Sequence, residues 1–183
     1  MATLFVDKVD PQSGTSLEIG SSGDTITTAT GSKPSFLYPA FEVWLSANQD
    51  ISDNTATKVQ FNEEVFDTDN CYDNSTNYRF TPTVAGKYHV YSRVQMDSNA
   101  ASNFQQGFLK IYKNGSAYSS QQMNMNGNQP ENIMLNTFGT VDMNGSSDYL
   151  EMFGTIDDTS GTPKFRGSSG LAWTVFGAYR IGT

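Results

Sequence analysis

Few residues in this chain could carry covalent or metal chemistry. His89 is the only histidine and Cys71 the only cysteine. A Ser-His-Asp relay would have to use His89, which falls inside the alternating stretch Lys87–Met96, where a ring serves packing. One histidine leaves no imidazole cluster for zinc. Cys71 stands beside Tyr72 with no basic neighbour to lower its pKa, so it reads as an idle thiol rather than a nucleophile. No Gly-rich phosphate loop is present. Asp67, Asp69, Asn70 and Asp73 form the densest set of oxygen ligands, which makes Asp67, Asp69 and Asp73 calcium candidates. The EF-hand template fails there: counting from Asp67, position six is Tyr72 instead of Gly and position twelve is Tyr78 instead of Glu. Asp157-Asp158 is a second acidic pair, expected in a solvated loop near one end of the sandwich. Apart from that candidate ion no cofactor is expected.

The chain as a whole narrows the classes further. It has 183 residues, 11 basic against 19 acidic side chains and a net charge of −8. An acidic protein lacks the basic face that tracks phosphates, so nucleic acid is not an expected partner. Aromatic residues at 13% argue against disorder. No apolar run approaches the roughly 20 residues of a membrane helix. Asp7 and Lys8 stand where an export signal would be apolar, and a single cysteine suits a reducing compartment, so the expectation is synthesis in a cytosol. The sequons at Asn74, Asn114 and Asn144 read as accidents of an Asn- and Ser-rich composition.

The elements that would position these residues are strands. Apolar spacing of the helical kind is almost absent, while short alternating runs separated by Gly, Asn, Asp and Ser recur throughout. From Pro39 onward the spacing is that of a sandwich, with strands expected at Phe41–Ser46, Lys58–Phe61, Tyr78–Thr81, Lys87–Met96, Gly107–Lys113, Ala117–Met123, Ile133–Val141, Tyr149–Ile156 and Leu171–Ile181. Asn114-Gly115 and Asn144-Gly145 suit hairpin turns. The polar stretch Gln121–Asn132 is expected as a loop, with Met123 and Met125 either packed inward or on an exposed tip.

Two strands carry large side chains on both faces. In Lys87–Met96, Tyr88, Val90, Val94 and Met96 oppose His89 and Tyr91; in the last strand, Leu171, Trp173, Val175, Tyr179 and Ile181 oppose Phe176. A free-standing sandwich wets one face of each sheet. Aromatics on the second face therefore point to contacts between copies, with snorkelling tyrosines as the alternative.

Residues 1–33 differ from the rest. Leu4-Phe5-Val6, Leu17-Glu18-Ile19 and Thr25-Ile26-Thr27 are short strand candidates with too little apolar surface for a core of their own. The segment reads as an arm that orders on its own copies or on a larger assembly, or else as a floppy tail. The division expected is thus an arm, 1–33, and a sandwich, 34–183.

The order of motifs in Pro39–Tyr179 resembles the C1q globular-head family, whose jelly roll is related to the tumour necrosis factor fold. Pro39-Ala40-Phe41-Glu42-Val43 resembles its opening strand. Tyr78–Tyr88, with Phe80-Thr81-Pro82 followed by Gly86-Lys87-Tyr88, is the most specific match. Leu109–Gly115 is similar to a middle strand and its turn. Asp148-Tyr149-Leu150-Glu151 takes the place of a Gly-Asp-x-Val/Leu motif with Ser147 where the family has Gly, and Val175–Tyr179 resembles the closing strand with its spacer residue missing. The resemblance implies an all-β jelly-roll sandwich, a homotrimer and a binding role without catalysis. The arm and the Phe66–Tyr78 stretch are similar to short structural proteins of marine tailed bacteriophages.

The function expected is a non-enzymatic virion structural protein: a trimeric head on the particle surface, as fibre tip or capsid decoration. The arm would anchor it to capsid, tail or fibre proteins by strand addition, through Leu4, Phe5, Val6, Leu17 and Ile19. Loops Gln121–Asn132 and Thr155–Gly170 would face outward, towards a host receptor or glycan. Synthesis in the host cytoplasm would precede assembly into the virion. The alternatives are a free soluble adhesin or lectin-like module, and a glycan-cleaving enzyme using carboxylates that the sequence does not place.

Overall fold

The computed structural model describes Val9, residues 39–125 and residues 127–182. The anchoring candidates Leu4, Phe5, Val6, Leu17 and Ile19 lie outside the described residues. Thirteen strands and no helix occur among those described. They are β1 (Ala40–Trp44), β2 (Gln49–Asp50), β3 (Thr57–Lys58), β4 (Glu63–Asp67), β5 (Tyr72–Asp73), β6 (Arg79–Phe80) and β7 (Gly86–Asp97). There follow β8 (Phe104–Lys113), β9 (Ser116–Asn124), β10 (Asn132–Met143), β11 (Leu150–Asp158), β12 (Lys164–Phe165) and β13 (Val175–Gly182).

The strands form two antiparallel sheets. In the first, β7 pairs with β10 along one edge, from Gly86↔Met143 to Asp97↔Asn132. Its other edge takes β13 and then, at Met96 and Asp97, β12. The sheet continues through β1 to β4, and β2 lies beside β12. The second sheet runs β9-β8-β11-β6-β5, with β3 also on β11. All-β strands in two facing sheets make the expected jelly-roll sandwich.

The core lies between the sheets and follows from period two. Along β7, Tyr88, Val90, Val94 and Met96 are fully buried while Lys87 and Arg93 are exposed. Ser92 shares the inner row, and its hydroxyl is satisfied by donating to the Val175 carbonyl at 2.7 Å. At one end, Phe41 stacks on Phe80 at 4.4 Å and on Tyr72 at 5.0 Å, and meets the edge of Phe176 at 5.0 Å. Burying each such ring contributes on the order of 1.5–3 kcal/mol, with more from the ring geometry.

Three sequence expectations need correction. The last strand begins at Val175, so Leu171 and Trp173 belong to the preceding loop; there Trp173 packs under the Arg166 guanidinium at 5.3 Å. Of the expected Lys58–Phe61 strand only Lys58 falls in a strand, β3, although Val59 and Phe61 are buried beyond it. The expected loop Gln121–Asn132 is strand as far as Asn124, because β9 follows β8 to Gln106↔Asn124. Met125 then packs against the core and Met123 is exposed.

Candidate functional site

The outward face of the first sheet gathers a group of aromatic side chains that the core does not use. The registers place them in rows. Tyr179 of β13 lies across from His89 of β7, and Thr140 of β10 lies on the other side of His89. One step along, Gly177, Tyr91 and Phe138 align; another step gives Val175, Arg93 and Asn136. On β1 the same face carries Glu42 and Trp44, with Phe66 of β4 opposite Glu42.

Local contacts fix this face. The His89 ring stacks on Tyr91 at 6.3 Å and tilts against Tyr179 at 5.3 Å. Tyr91 lies down across β13: a Cβ built on Gly177 would fall 2.4 Å from its ring. Glycine is therefore required at 177 by close approach, not by backbone angle. The Tyr91 hydroxyl reaches β1 and donates to Glu42 Oε2 at 2.7 Å. Burial and this bond to a carboxylate both push the Tyr91 hydroxyl well above the usual phenol range. Arg93 donates to the Ala172 carbonyl at 2.5 Å. Between β1, β13, β7 and β10 these residues line a recess of about 370 Å³ that includes Glu42, His89, Tyr91, Arg93 and Phe138.

Beside the recess the face is bare. Phe138 is 73% exposed, Ile181 48%, Phe66 43% and Met134 39%. The outward face of the second sheet handles its aromatics differently. Lys110 covers the Phe108 ring at 5.1 Å, and Phe153 packs on Tyr112 at 4.2 Å. Glu151 beside them is held by Lys58 at 2.5 Å. Cation caps suit a wet surface; uncovered rings in a contiguous patch suit an interface.

His89 and Tyr91 were legible as second-face residues in the sequence. Tyr179 falls where the sequence put it, on the same face as Val175 and Ile181. Phe138, Met134, Phe66, Trp44 and Glu42 were missed as members of the patch. The signal for Phe138 was present: in β10 the buried residues Leu135, Thr137 and Val141 set the inner row, which leaves Met134 and Phe138 outside.

The calcium candidates serve their own loop. Asp67 accepts from the Asp69 and Tyr72 amides at 3.2 and 2.8 Å and from the Cys71 thiol at 3.3 Å. Asp69 accepts from the Thr83 hydroxyl. Asp73 caps a turn, accepting from the amides of Ser75, Thr76 and Asn77 and from the Asn77 side chain. These bonds, that of the Thr76 amide foremost, hold its carboxyl far below the usual range. Among the described residues no three His, Cys, Asp or Glu side chains come together in an arrangement that could hold a metal. Burial, and then Asp67, push the Cys71 thiol up, which suppresses the thiolate a nucleophile needs.

No model of a known protein family matches the sequence, and no curated protein does. Solved structures do match. One is the globular domain of zebrafish complement 1qA protein, at 14% identity and a TM-score of 0.54, over 78% of this chain and 97% of that one. Another is Eiger TNF from S. frugiperda, at 8% identity and a TM-score of 0.53, over 80% of this chain and 94% of that one. At such identities the likeness concerns the fold, and residues 39–182 have the C1q/TNF-like jelly-roll sandwich.

Proposed function

We propose that this chain is a non-enzymatic structural protein of a tailed-phage particle: a homotrimeric C1q-like head displayed on the virion and anchored by residues 1–33. The observation that carries the binding role is the outward face of the first sheet. Its rings are held in place by Tyr91–Glu42 and Tyr91–Gly177 contacts, yet Phe138, Met134 and Phe66 are left uncovered. Burying that face between copies removes apolar surface from water and needs no further element from the sandwich. The idle thiol and the stacked histidine favour binding over catalysis. The virion setting draws its support from the sequence, from the resemblance of the arm and of Phe66–Tyr78 to phage structural proteins. Synthesis in the host cytoplasm and later display on the particle belong to this reading.

Deleting residues 1–33 tests the anchor. Particles assembled with the truncated protein should carry little of it, while the sandwich itself still folds. Equal incorporation of truncated and full-length protein contradicts the anchor and leaves a free adhesin or lectin-like module as the better reading.

A further inference from the structure

At the end of the sandwich where β11 finishes, two aspartates, Asp53 and Asp158, are joined by a hydrogen bond. Asp53 lies in the 51–56 loop between β2 and β3, and Asp158 is the last residue of β11. Asp53 Oδ1 accepts from the Asp158 amide at 2.9 Å, across 105 residues of chain. The next residue, Asn54, donates its amide to the Ile156 carbonyl at 2.8 Å. The loop is thus pinned to β11 at two adjacent points. Asp158 is only 7% exposed, and its Oδ2 is buried with no hydrogen-bond partner.

A buried, unpartnered carboxylate oxygen beside a second carboxylate is costly if both are charged. The surroundings offer no relief. Asp157, next in the chain, adds another negative charge. The 51–56 loop holds no other ionisable side chain, and neither does the 98–103 segment nor the 159–163 turn. Asp97 of β7 is engaged by Arg166 at 3.2 Å. Asp50 and Lys164, on the neighbouring strands, lie opposite each other. Asn103 presents a buried Nδ2 donor on the same side as Asp158 Oδ2: the two atoms lie 3.3 and 3.6 Å from the Cβ position of Gly161. That Nδ2 makes no hydrogen bond itself, so it does not satisfy the carboxylate oxygen.

We propose that Asp158 carries a proton beside the Asp53 carboxylate, which makes the 51–56 loop a clasp on the end of β11 that is tight in acid and loosens when the proton leaves. Burial, reinforced by Asp53, raises the Asp158 carboxyl to about 6. The sign follows. A carboxyl whose folded pKa lies above its free value contributes most below that free value, near 4, and loses the contribution as pH rises through about 6. The clasp therefore changes state across mildly acidic pH, and it gives this end of the sandwich a mobility that depends on its surroundings.

The test is backbone hydrogen exchange in the full chain, reading the Asn54 and Asp158 amides against Val59. The Val59 amide bonds to the Met152 carbonyl on the same strand β11, away from the clasp. After correction for intrinsic rates, protection of Asn54 and Asp158 should fall about tenfold between pH 5 and pH 7.5 relative to Val59. Asp158→Asn supplies a permanent donor to Asp53, so its protection should stay high at both pH values. Should that variant fold poorly, Asp53→Asn should flatten the profile in the same way. A flat profile in the wild type overturns the proposal, and so does an Asp158→Asn protein that keeps the pH dependence. Restored protection at pH 7.5 on adding calcium chloride, reversed by EDTA, also overturns it, because an ion and not a proton would then hold the pair.

Discussion

Tyr91 and Glu42 are bonded across three strands of the first sheet, with Tyr91 Oη 2.7 Å from Glu42 Oε2 and the intervening strand reduced to glycine beneath the ring. The bond turns a side chain that would otherwise stand out into solvent into a plate lying on the sheet. The rings of His89 and Tyr179 pack beside it. A residue added at 177 should undo this. Gly177→Ala places a methyl 2.4 Å from the Tyr91 ring, so Tyr91 must swing off Glu42, at a cost of about 1–3 kcal/mol. Urea unfolding and the near-ultraviolet circular dichroism of Tyr91 check both parts.

Phe138 and Phe108 point outward from different sheets, one bare and one capped by Lys110. If the bare face joins copies, Phe138→Arg should break the assembly into protomers with unchanged far-ultraviolet circular dichroism. Phe108→Ser should leave the assembly intact. Sedimentation velocity on the two variants separates the outcomes.

Phe41 sits among Tyr72, Phe80 and Phe176 and is wholly buried. Phe41→Ala should cost about 3–5 kcal/mol, the range for an aromatic core truncation that leaves a cavity. Denaturant titration measures it, and a value below about 1 kcal/mol would mean the aromatic cluster repacks freely.

Cys71 is buried and its thiol is pushed upward by burial and Asp67. At pH 8 a thiol-specific reagent should react with the native protein at least about tenfold more slowly than with the urea-unfolded chain. Equal rates would show an accessible, ionised sulfur.

Asp73 should report acid loosening of its turn. Its carboxyl is depressed by the Thr76, Ser75 and Asn77 donors, so its contribution is present above the free carboxylate range and is lost as pH falls below that range. The Thr76 and Asn77 amide resonances should move together in acid, and Asp73→Ala should show the acid-form positions already at neutral pH.

The long strands were legible because β7 and β10 alternate over most of their length between a buried and an outward row. β4 was not, because Glu63-Glu64-Val65-Phe66-Asp67 is an exposed strand whose charges answer to solvent and not to the core. Its irregular pairing with β1 between Glu42 and Val43 breaks the period as well. The second-face aromatics of β7 announced the outward patch, but its full membership needed the registers that set Phe138, Tyr91 and Gly177 side by side. The pairing of Asp53 with Asp158 was beyond reach, since a loop aspartate and a strand-end aspartate 105 residues apart meet only through the order of strands in the sandwich.

Light scattering of the purified full-length protein at micromolar concentration tests the central claim most directly. The account predicts a single species of three times the protomer mass. A single species of protomer mass would contradict it, and would leave the aromatic face of the first sheet without its proposed purpose.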